Sequence, residues 1–105
     1  MNVALPELSA QQRRAALKKA AEVRRARSEV KNRLKYSQDS LSRVIEQGQK
    51  DDVVGKMRVS ALLESLPGIG KVRAHAIMGE IGISESRRVR GLGPKQIAAL
   101  LERFE

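Results

Sequence analysis

The sequence contains no cysteine and very few aromatic residues, and these gaps exclude several kinds of function. Without cysteine, neither a disulfide framework nor a thiolate metal site is possible, and an intracellular protein is the natural expectation. Aromatic residues make up 2% of the chain and consist of Tyr36 and Phe104. Proteins that bind unstacked single strands commonly stack bases on aromatic side chains, so this mode of recognition is not expected.

Groups for catalysis, metal binding and membrane insertion are also scarce. His75 is the single histidine and has no cysteine or clear acidic cluster to complete a metal site, so we predict a surface or partly buried helix residue. Asp51 and Asp52 are adjacent, which is more typical of helix capping than of a catalytic pair. No apolar run has the length of a membrane span, and residues near Met1 lack the pattern of a secretory signal. We therefore expect a soluble protein that is not an enzyme and needs no metal or cofactor.

Positive charge is what the chain has in excess. Its 105 residues include 21 lysines and arginines against 12 aspartates and glutamates, a formal net charge of +9, and the pI is about 10.7. This balance predicts a polyanionic partner, nucleic acid first and an anionic membrane surface second. Since 41% of the residues are hydrophobic, the chain suits one small domain with a modest core and little room for an enclosed substrate cavity.

The residue patterns predict an all-α protein, because no segment sustains an alternation of polar and apolar residues. Residues 1–8 contain Pro6 and indicate a flexible lead-in. Ser9 and Gln12 then form a plausible capping box for a long helix over residues 9–36, which lacks glycine and proline. On a helical wheel this helix has an apolar arc of Ala16, Val23, Ala26, Val30 and Leu34. Its basic arc contains Arg13, Arg14, Lys18, Arg24, Arg25, Lys31 and Lys35.

The basic arc has two interpretations of about equal weight. One is an ordinary solvated face on which Arg25 and Glu29 form a pair one helical turn apart. The other is a surface that faces phosphates, because the acidic residues are too few to balance the basic ones. The alanine-rich first half of the helix has few bulky anchors and is compatible with ordering on binding.

Residues 37–105 are predicted to form a domain of short helices. The first is capped by Asp39, Ser40 or a neighbour, and Asp51 and Asp52 favour the start of a very short second one. Two clearer helices follow, with the apolar faces Val59, Leu62, Leu63, Leu66 and Val72, Ala74, Ile77, Met78, Ile81; the second is expected to end at a Gly82 cap. Pro94 suits the first turn of a last helix with the stripe Ile97, Leu100, Leu101 and Phe104.

Between the two clearer helices lies the stretch LPGIGK, residues 66–71, which fits a helix-hairpin-helix pattern. We expect Gly68 and Gly70 to allow backbone torsions and a close approach that side chains would prevent, while Ile69 enters the core. The next helix would then offer backbone N–H groups to a phosphate, with Lys71 and Arg73 within reach. The alternative is a plain helix connection, which the flanking hydrophobic spacing and basic residues make less favoured. Such a turn binds the sugar-phosphate backbone without reading bases.

A second basic cluster consists of Arg87, Arg88 and Arg90, just before two glycines. Guanidinium groups on such a loop are suited to clamping phosphates or entering a narrow minor groove. The alternative is a solvent-facing cluster that pairs in part with nearby acids, which are Glu80, Glu85 and Glu102. We favour the nucleic-acid role because the cluster follows the hairpin by little more than one short helix.

Three blocks of the sequence resemble the actinobacterial integration host factor family: VKNRLK (30–35), VSALLESLPGIGKVRA (59–74) and RRVRGLG (87–93). The resemblance implies a small nucleoid-associated protein of the cytoplasm, with a long N-terminal helix and a helical DNA-binding domain containing a helix-two-turn-helix-like motif. It implies binding of double-stranded DNA with little sequence specificity, DNA bending and compaction, and effects on supercoiling, phage site-specific integration and gene regulation. We expect a monomer, with a phage integrase or recombinase as a further partner on DNA.

On this resemblance, the DNA-binding residues are those of the hairpin and of the arginine cluster. They are Gly68, Ile69, Gly70, Lys71, Arg73, Arg87, Arg88 and Arg90. A second hypothesis is an RNA-binding, ribosome-associated protein, since the hairpin and the downstream arginines also resemble small-subunit ribosomal proteins that bind ribosomal RNA. Those proteins commonly carry a long basic tail, whereas this sequence ends at Phe104 and Glu105.

Overall fold

A computed structural model describes residues 9–104, which form six α-helices and one 3-10 turn. The helices are α1 (Ala10–Lys35), α2 (Leu41–Gly48), α3 (Asp52–Gly55), α4 (Val59–Ser65), α5 (Lys71–Ile81) and α6 (Pro94–Phe104), and the 3-10 turn is Val89–Gly91. Within these residues β pairing is limited to an isolated antiparallel bridge between Arg58 and Arg88. The all-α prediction is confirmed. The predicted lead-in, residues 1–8, lies outside the described residues.

Helix α1 begins as its sequence predicts but packs over only part of its length. The Ser9 hydroxyl accepts a hydrogen bond from the Gln12 backbone N–H at 3.0 Å, and the Gln12 side chain accepts one from the Ser9 N–H at 2.8 Å. Of the predicted apolar arc, only Val30 and Leu34 are buried. Residues 10–20 are exposed throughout. The first half of α1 therefore gains little from packing, and its helicity depends on residue propensity and the cap.

The core joins the second half of α1 to all the later helices. Its least exposed side chains include Val44, Leu63, Ala74, Val89 and Leu100, each 0% exposed. Val72 departs from the prediction, because it is 86% exposed. The buried residues of α5 recur from Ala74 at helical spacing, and a residue two positions earlier lies about 200° around the helix, on the opposite face. Val72 was therefore wrongly assigned to the core.

Short polar caps set the starts of α2 and α3. Ser40 accepts from the Arg43 N–H at 3.2 Å, and Asp51 accepts from the N–H groups of Val53 and Val54 at 2.8 and 3.3 Å. Asp52 lies in the first turn of α3, where a carboxylate favours the helix start as predicted, and it also binds an arginine described below. Gly82 ends α5 in a left-handed conformation, as predicted.

Close backbone packing between α2 and α3 provides a firm base for the arginine cluster. A Cβ atom on Gly55 would lie 2.5 Å from the Gly48 carbonyl oxygen, and one on Gly48 would lie 2.5 Å from a methyl carbon of Val89. Such distances are shorter than van der Waals contact, so both positions require glycine for this approach. Val89, in the middle of the cluster, therefore packs directly against Gly48 of α2.

Candidate nucleic-acid interface

The hairpin between α4 and α5 contains one glycine that needs its special conformation and one that does not. Gly68 has a φ of +76°, a left-handed conformation that side chains disfavour. Gly70 has φ −97° and ψ −175°, which any residue adopts, so the expectation of a glycine-only torsion there is wrong. Ile69 is half-buried against the core, as predicted, and its N–H donates to the Leu66 carbonyl at 3.1 Å.

The N-terminus of α5 is open to solvent. Among residues 9–104, no side chain caps it, and its first turn carries no acidic residue. Lys71, Val72 and Arg73 are exposed, and a Cβ atom on Gly70 would meet no atom within 4 Å. The N–H groups at the start of a helix have no partners within that helix and carry partial positive charge. An anion therefore meets free N–H donors here, together with the charges of Lys71 and Arg73.

The arginine cluster is anchored to the connection between α3 and α4. The Val59 N–H donates to the Arg87 carbonyl at 3.0 Å, and the Val89 N–H donates to the Met57 carbonyl at 2.9 Å. The Arg88 guanidinium donates to the Lys56 carbonyl, and that of Arg87 donates to the Gly91 carbonyl at 2.6 Å. The backbone that carries the guanidinium groups of this cluster is thus fixed by hydrogen bonds.

Arg90 is more engaged than its two neighbours. Its guanidinium lies 2.9 Å from an Asp52 carboxylate oxygen, and its Nε donates to the Gly48 carbonyl at 3.3 Å. The hydrogen bond from Arg90, then the charge of Arg90, and then that of Lys56 hold the pKa of Asp52 below its ordinary value of 3.8. Arg90 therefore ties the cluster to α2 and α3 while 43% of its side chain stays exposed.

Two of the three acids predicted as alternative partners of the cluster have other contacts. Glu80 binds Arg103, at the end of α6. Glu85 binds His75, which is an exposed helix residue as predicted. Pairing of the arginine cluster with Glu80 or Glu85 is therefore wrong. The acid that does pair with it, Asp52, lies far away in the sequence, and local spacing gave no signal for it.

A groove of about 470 Å³ lies between α4 and α5, and its lining includes the acids Glu64 and Glu85. Lys71 lines it on the hairpin side, and Arg58 lines it on the side of the bridge to Arg88. Sequence reasoning missed Arg58 and its neighbour Lys56. The available signal was the alternation around buried Met57, which turns Lys56 and Arg58 away from the core.

Over residues 9–104, no three His, Cys, Asp or Glu side chains gather where a metal ion would bind. No helix in this range is long and apolar enough to cross a membrane.

Comparison with known proteins places this architecture. Residues 34–104 match the family model described as the S13-like H2TH domain. An integration host factor of Streptomyces coelicolor is 68% identical over 102 residues, covering 97% of this chain and 95% of the relative. Those of Mycobacterium tuberculosis and Mycolicibacterium smegmatis are 55% and 54% identical, with 97% and 98% of both chains covered.

A solved structure gives the same result in three dimensions. It is described as sIHF bound to an 8bp palindromic DNA, and it matches with a TM-score of 0.83 and 68% identity over 84% of this chain and 99% of the other. The fold, the family model and three full-length relatives agree. The chain belongs to the actinobacterial integration host factor family, and its residues 34–104 are an S13-like H2TH domain.

Proposed function

We propose that this protein binds double-stranded DNA with little sequence specificity and acts as a nucleoid-associated architectural protein rather than as an enzyme. The observation that carries this proposal is the open N-terminus of α5, which presents unpaired N–H groups beside Lys71 and Arg73. Phosphates are the natural ligands of such a helix start. Family membership supports the same conclusion, because the matching solved structure contains DNA.

The predicted DNA-binding residues divide into three roles. Gly68, Ile69 and Gly70 shape the hairpin so that a backbone phosphate reaches the start of α5. Lys71 and Arg73 add charge at that phosphate or at its neighbours. Of the arginine cluster, Arg87 and Arg88 contact a second stretch of DNA backbone or a minor groove. Arg90 secures the cluster through Asp52 and contacts DNA with the part of its side chain that remains exposed.

Two contact regions on one folded domain account for the architectural activities. A duplex that meets both the hairpin and the arginine cluster follows the protein surface and bends. Repeated along a chromosome, such bends compact the DNA of the cytoplasmic nucleoid. They also influence supercoiling and gene expression. The same bends bring distant sites together for a phage integrase or recombinase, which we propose as a partner on DNA.

We further propose that the protein is a monomer. The large hydrophobic side chains that are exposed in residues 9–104 are Leu17, Tyr36 and Val72. They lie on the first half of α1, at its end and on α5, so they do not combine into one continuous apolar patch. Stable dimers generally bury a larger apolar surface than isolated side chains provide.

The RNA-binding alternative is not favoured. The relatives that match nearly the full chain are named integration host factors. The solved structure that matches was determined with DNA.

The proposal is tested by titrating a fluorescent DNA duplex of about 30 base pairs and a matched RNA duplex over a salt series. Since each neutralised phosphate contributes about 0.9 to the log–log slope, DNA affinity should fall steeply with salt. We compare the wild type with Gly70→Glu, which puts a negative charge at the open start of α5, and with an Arg87→Ala, Arg88→Ala double variant. Both should lose DNA affinity while remaining folded.

Arg90 is left intact in these variants, because its removal would also break the contacts with Asp52 and Gly48. An Arg43→Gln, Lys50→Gln double variant serves as the control; both residues line a separate groove that also contains Asp39 and Glu46. Tighter binding of RNA than of DNA, or unchanged DNA binding by both site variants, would overturn the proposal.

A further inference from the structure

A cleft of about 380 Å³ lies between α1 and the connection from α3 to α4, and it is strongly basic. The described residues that line it are Arg27, Lys31, Lys56, Met57, Arg58, Ala61 and Arg88. Five of these seven are cations and none is acidic. A concave surface lined by charges of one sign concentrates counter-ions, so an anion is the ligand to which this cleft is suited.

The fold brings these cations together from three parts of the chain. Arg27 and Lys31 are four residues apart and therefore share one face of α1. Lys56 and Arg58 flank buried Met57. Arg88 lies directly opposite Arg58 in the antiparallel bridge. Like charges directly opposite each other in such a pair are destabilising, so the fold holds two arginines together without a gain in stability from their charges.

Two acidic residues of the neighbouring connections, Asp52 and Asp39, are engaged with arginines outside the cleft. Asp52 is bound by Arg90, and Asp39 lies between Arg33 and Arg43. Among the salt bridges formed by residues 9–104, none includes a cation of the cleft. Lys56 lies near enough to Asp52 to lower the pKa of that carboxyl, but the other four cations of the cleft are left to attract a ligand from outside the chain.

Arg27 provides a second, independent sign of a missing partner. Its Nε atom is buried and has no hydrogen-bond partner in the described structure. Buried N–H groups are nearly always paired in folded proteins. A phosphate oxygen is a strong acceptor for a guanidinium N–H, and a turn of the Arg27 side chain toward a phosphate bound in the cleft would complete this contact.

We infer that the cleft binds phosphodiester groups of DNA, as a third contact region beside the hairpin and the arginine cluster. This inference rests on the proposed function. It is favoured over a free phosphate ligand because Arg58 lines both the cleft and the groove that contains Lys71. Arg58 thus connects the cleft to the groove beside the start of α5, which Glu64 and Glu85 also line. Five cations also exceed what one small phosphate needs.

The test neutralises the α1 side of the cleft with the double variant Arg27→Gln, Lys31→Gln. Arg43→Gln, Lys50→Gln is a matched control, because it also removes one arginine and one lysine. The slope of log affinity against log salt is measured for a duplex of about 30 base pairs; loss of one to two phosphate contacts should lower its magnitude by about 1 to 2 in the cleft variant. In the control variant, the slope should change by less than half of that amount. Lys31→Gln alone, at an exposed position, keeps the test valid if the double variant unfolds.

A second arm distinguishes DNA from free phosphate. The Arg27 Nε–H resonance of the wild type is followed by NMR during titration with the same DNA duplex and, separately, with inorganic phosphate. A large shift with DNA and a slope change in the cleft variant support the inference. If the resonance shifts only with inorganic phosphate, and the salt slope of DNA binding is the same in the cleft variant and the wild type, the cleft binds a free anion and the inference is wrong. If the cleft variant matches the control while Gly70→Glu loses DNA affinity, only this inference fails; if the wild type does not bind DNA, the proposed function itself fails.

Discussion

Two glycines in one short turn should respond differently to the same substitution. Gly68 has a left-handed conformation, whereas Gly70 is extended with open space around it. A Cβ atom in the left-handed region costs about 1 to 2 kcal/mol. We therefore expect Gly68→Ala to lower the free energy of unfolding by about that amount, and Gly70→Ala to change it by less than about 0.5 kcal/mol. Urea denaturation of both variants measures the difference, and equal losses would contradict the assigned roles.

Asp52 provides a pH-dependent contact at the base of the arginine cluster. Arg90, and to a smaller extent Lys56, lowers its pKa in the folded protein below the ordinary value of 3.8. The folded state therefore binds this proton less readily than the unfolded state, so the contribution of the pair to stability is present above that ordinary value. It is lost as the pH falls through the folded pKa.

We expect Arg90→Gln to raise the pKa of Asp52 toward its ordinary value, because the largest cause of the shift is removed. The carboxyl resonance of Asp52 is followed by NMR between about pH 2 and 6 in the wild type and in the variant. Lys56→Gln serves as a comparison and should cause a smaller rise. The same titration midpoint in the wild type and in Arg90→Gln would show that the pair does not hold in solution.

Residues whose roles depend on their neighbours in sequence were predicted well. The Ser9–Gln12 capping box and the Gly82 helix end are local, and both appear in the structure. Arg90 shows the limit: its partner Asp52 is brought to it by packing of α2 and α3, which no spacing reveals. Val72 was misplaced because its hydrophobic character was given more weight than its angle on the helix.

At the scale of the element, α1 has two unequal halves. Val30 and Leu34 pack into the core, while residues 10–20 remain exposed on all sides. Isolated helices are marginally stable in water, and most helices in proteins depend on tertiary packing. The sequence indicated this difference, because bulky apolar residues on the arc are confined to its later part. The partners of the packed half, α3 and α4, were not predictable, since they depend on how the whole chain folds.

We expect backbone amides in residues 14–20 to exchange with deuterium much faster than those in residues 28–34. Unpacked helical turns open locally at a low free-energy cost, whereas packed ones approach the stability of the domain. Hydrogen exchange followed by mass spectrometry or NMR makes the comparison within one helix, with α5 as an internal reference. Ser9→Ala should increase the contrast, because it removes the cap. Uniform protection along α1 would contradict this account.

On the scale of the whole molecule, the two proposed DNA-contact regions lie on elements that are fixed to one another. The bridge between Arg58 and Arg88 joins the arginine cluster to the start of α4, and α4 packs against α5. Both proposed regions were identified from local patterns in the sequence. Their connection through Arg58 was not, because the bridge joins residues 30 positions apart. The described molecule is also elongated, 57 × 29 × 26 Å. A duplex that follows its surface therefore has to change direction between one contact region and the next.

This arrangement predicts that binding bends DNA. A duplex that meets both the hairpin and the arginine cluster deviates from a straight path, at a deformation cost of roughly 1 to 6 kcal/mol that the additional phosphate contacts offset. Fluorescence resonance energy transfer between the ends of a duplex of about 30 base pairs should therefore rise as the protein saturates it. The Arg87→Ala, Arg88→Ala variant, which keeps the hairpin, should at saturation leave the duplex straighter, because one of the two anchors is gone. The Arg43→Gln, Lys50→Gln control should bend DNA like the wild type. An unchanged end-to-end distance at full occupancy by the wild type would mean that the two regions contact separate duplexes, and compaction would then proceed by bridging rather than by bending.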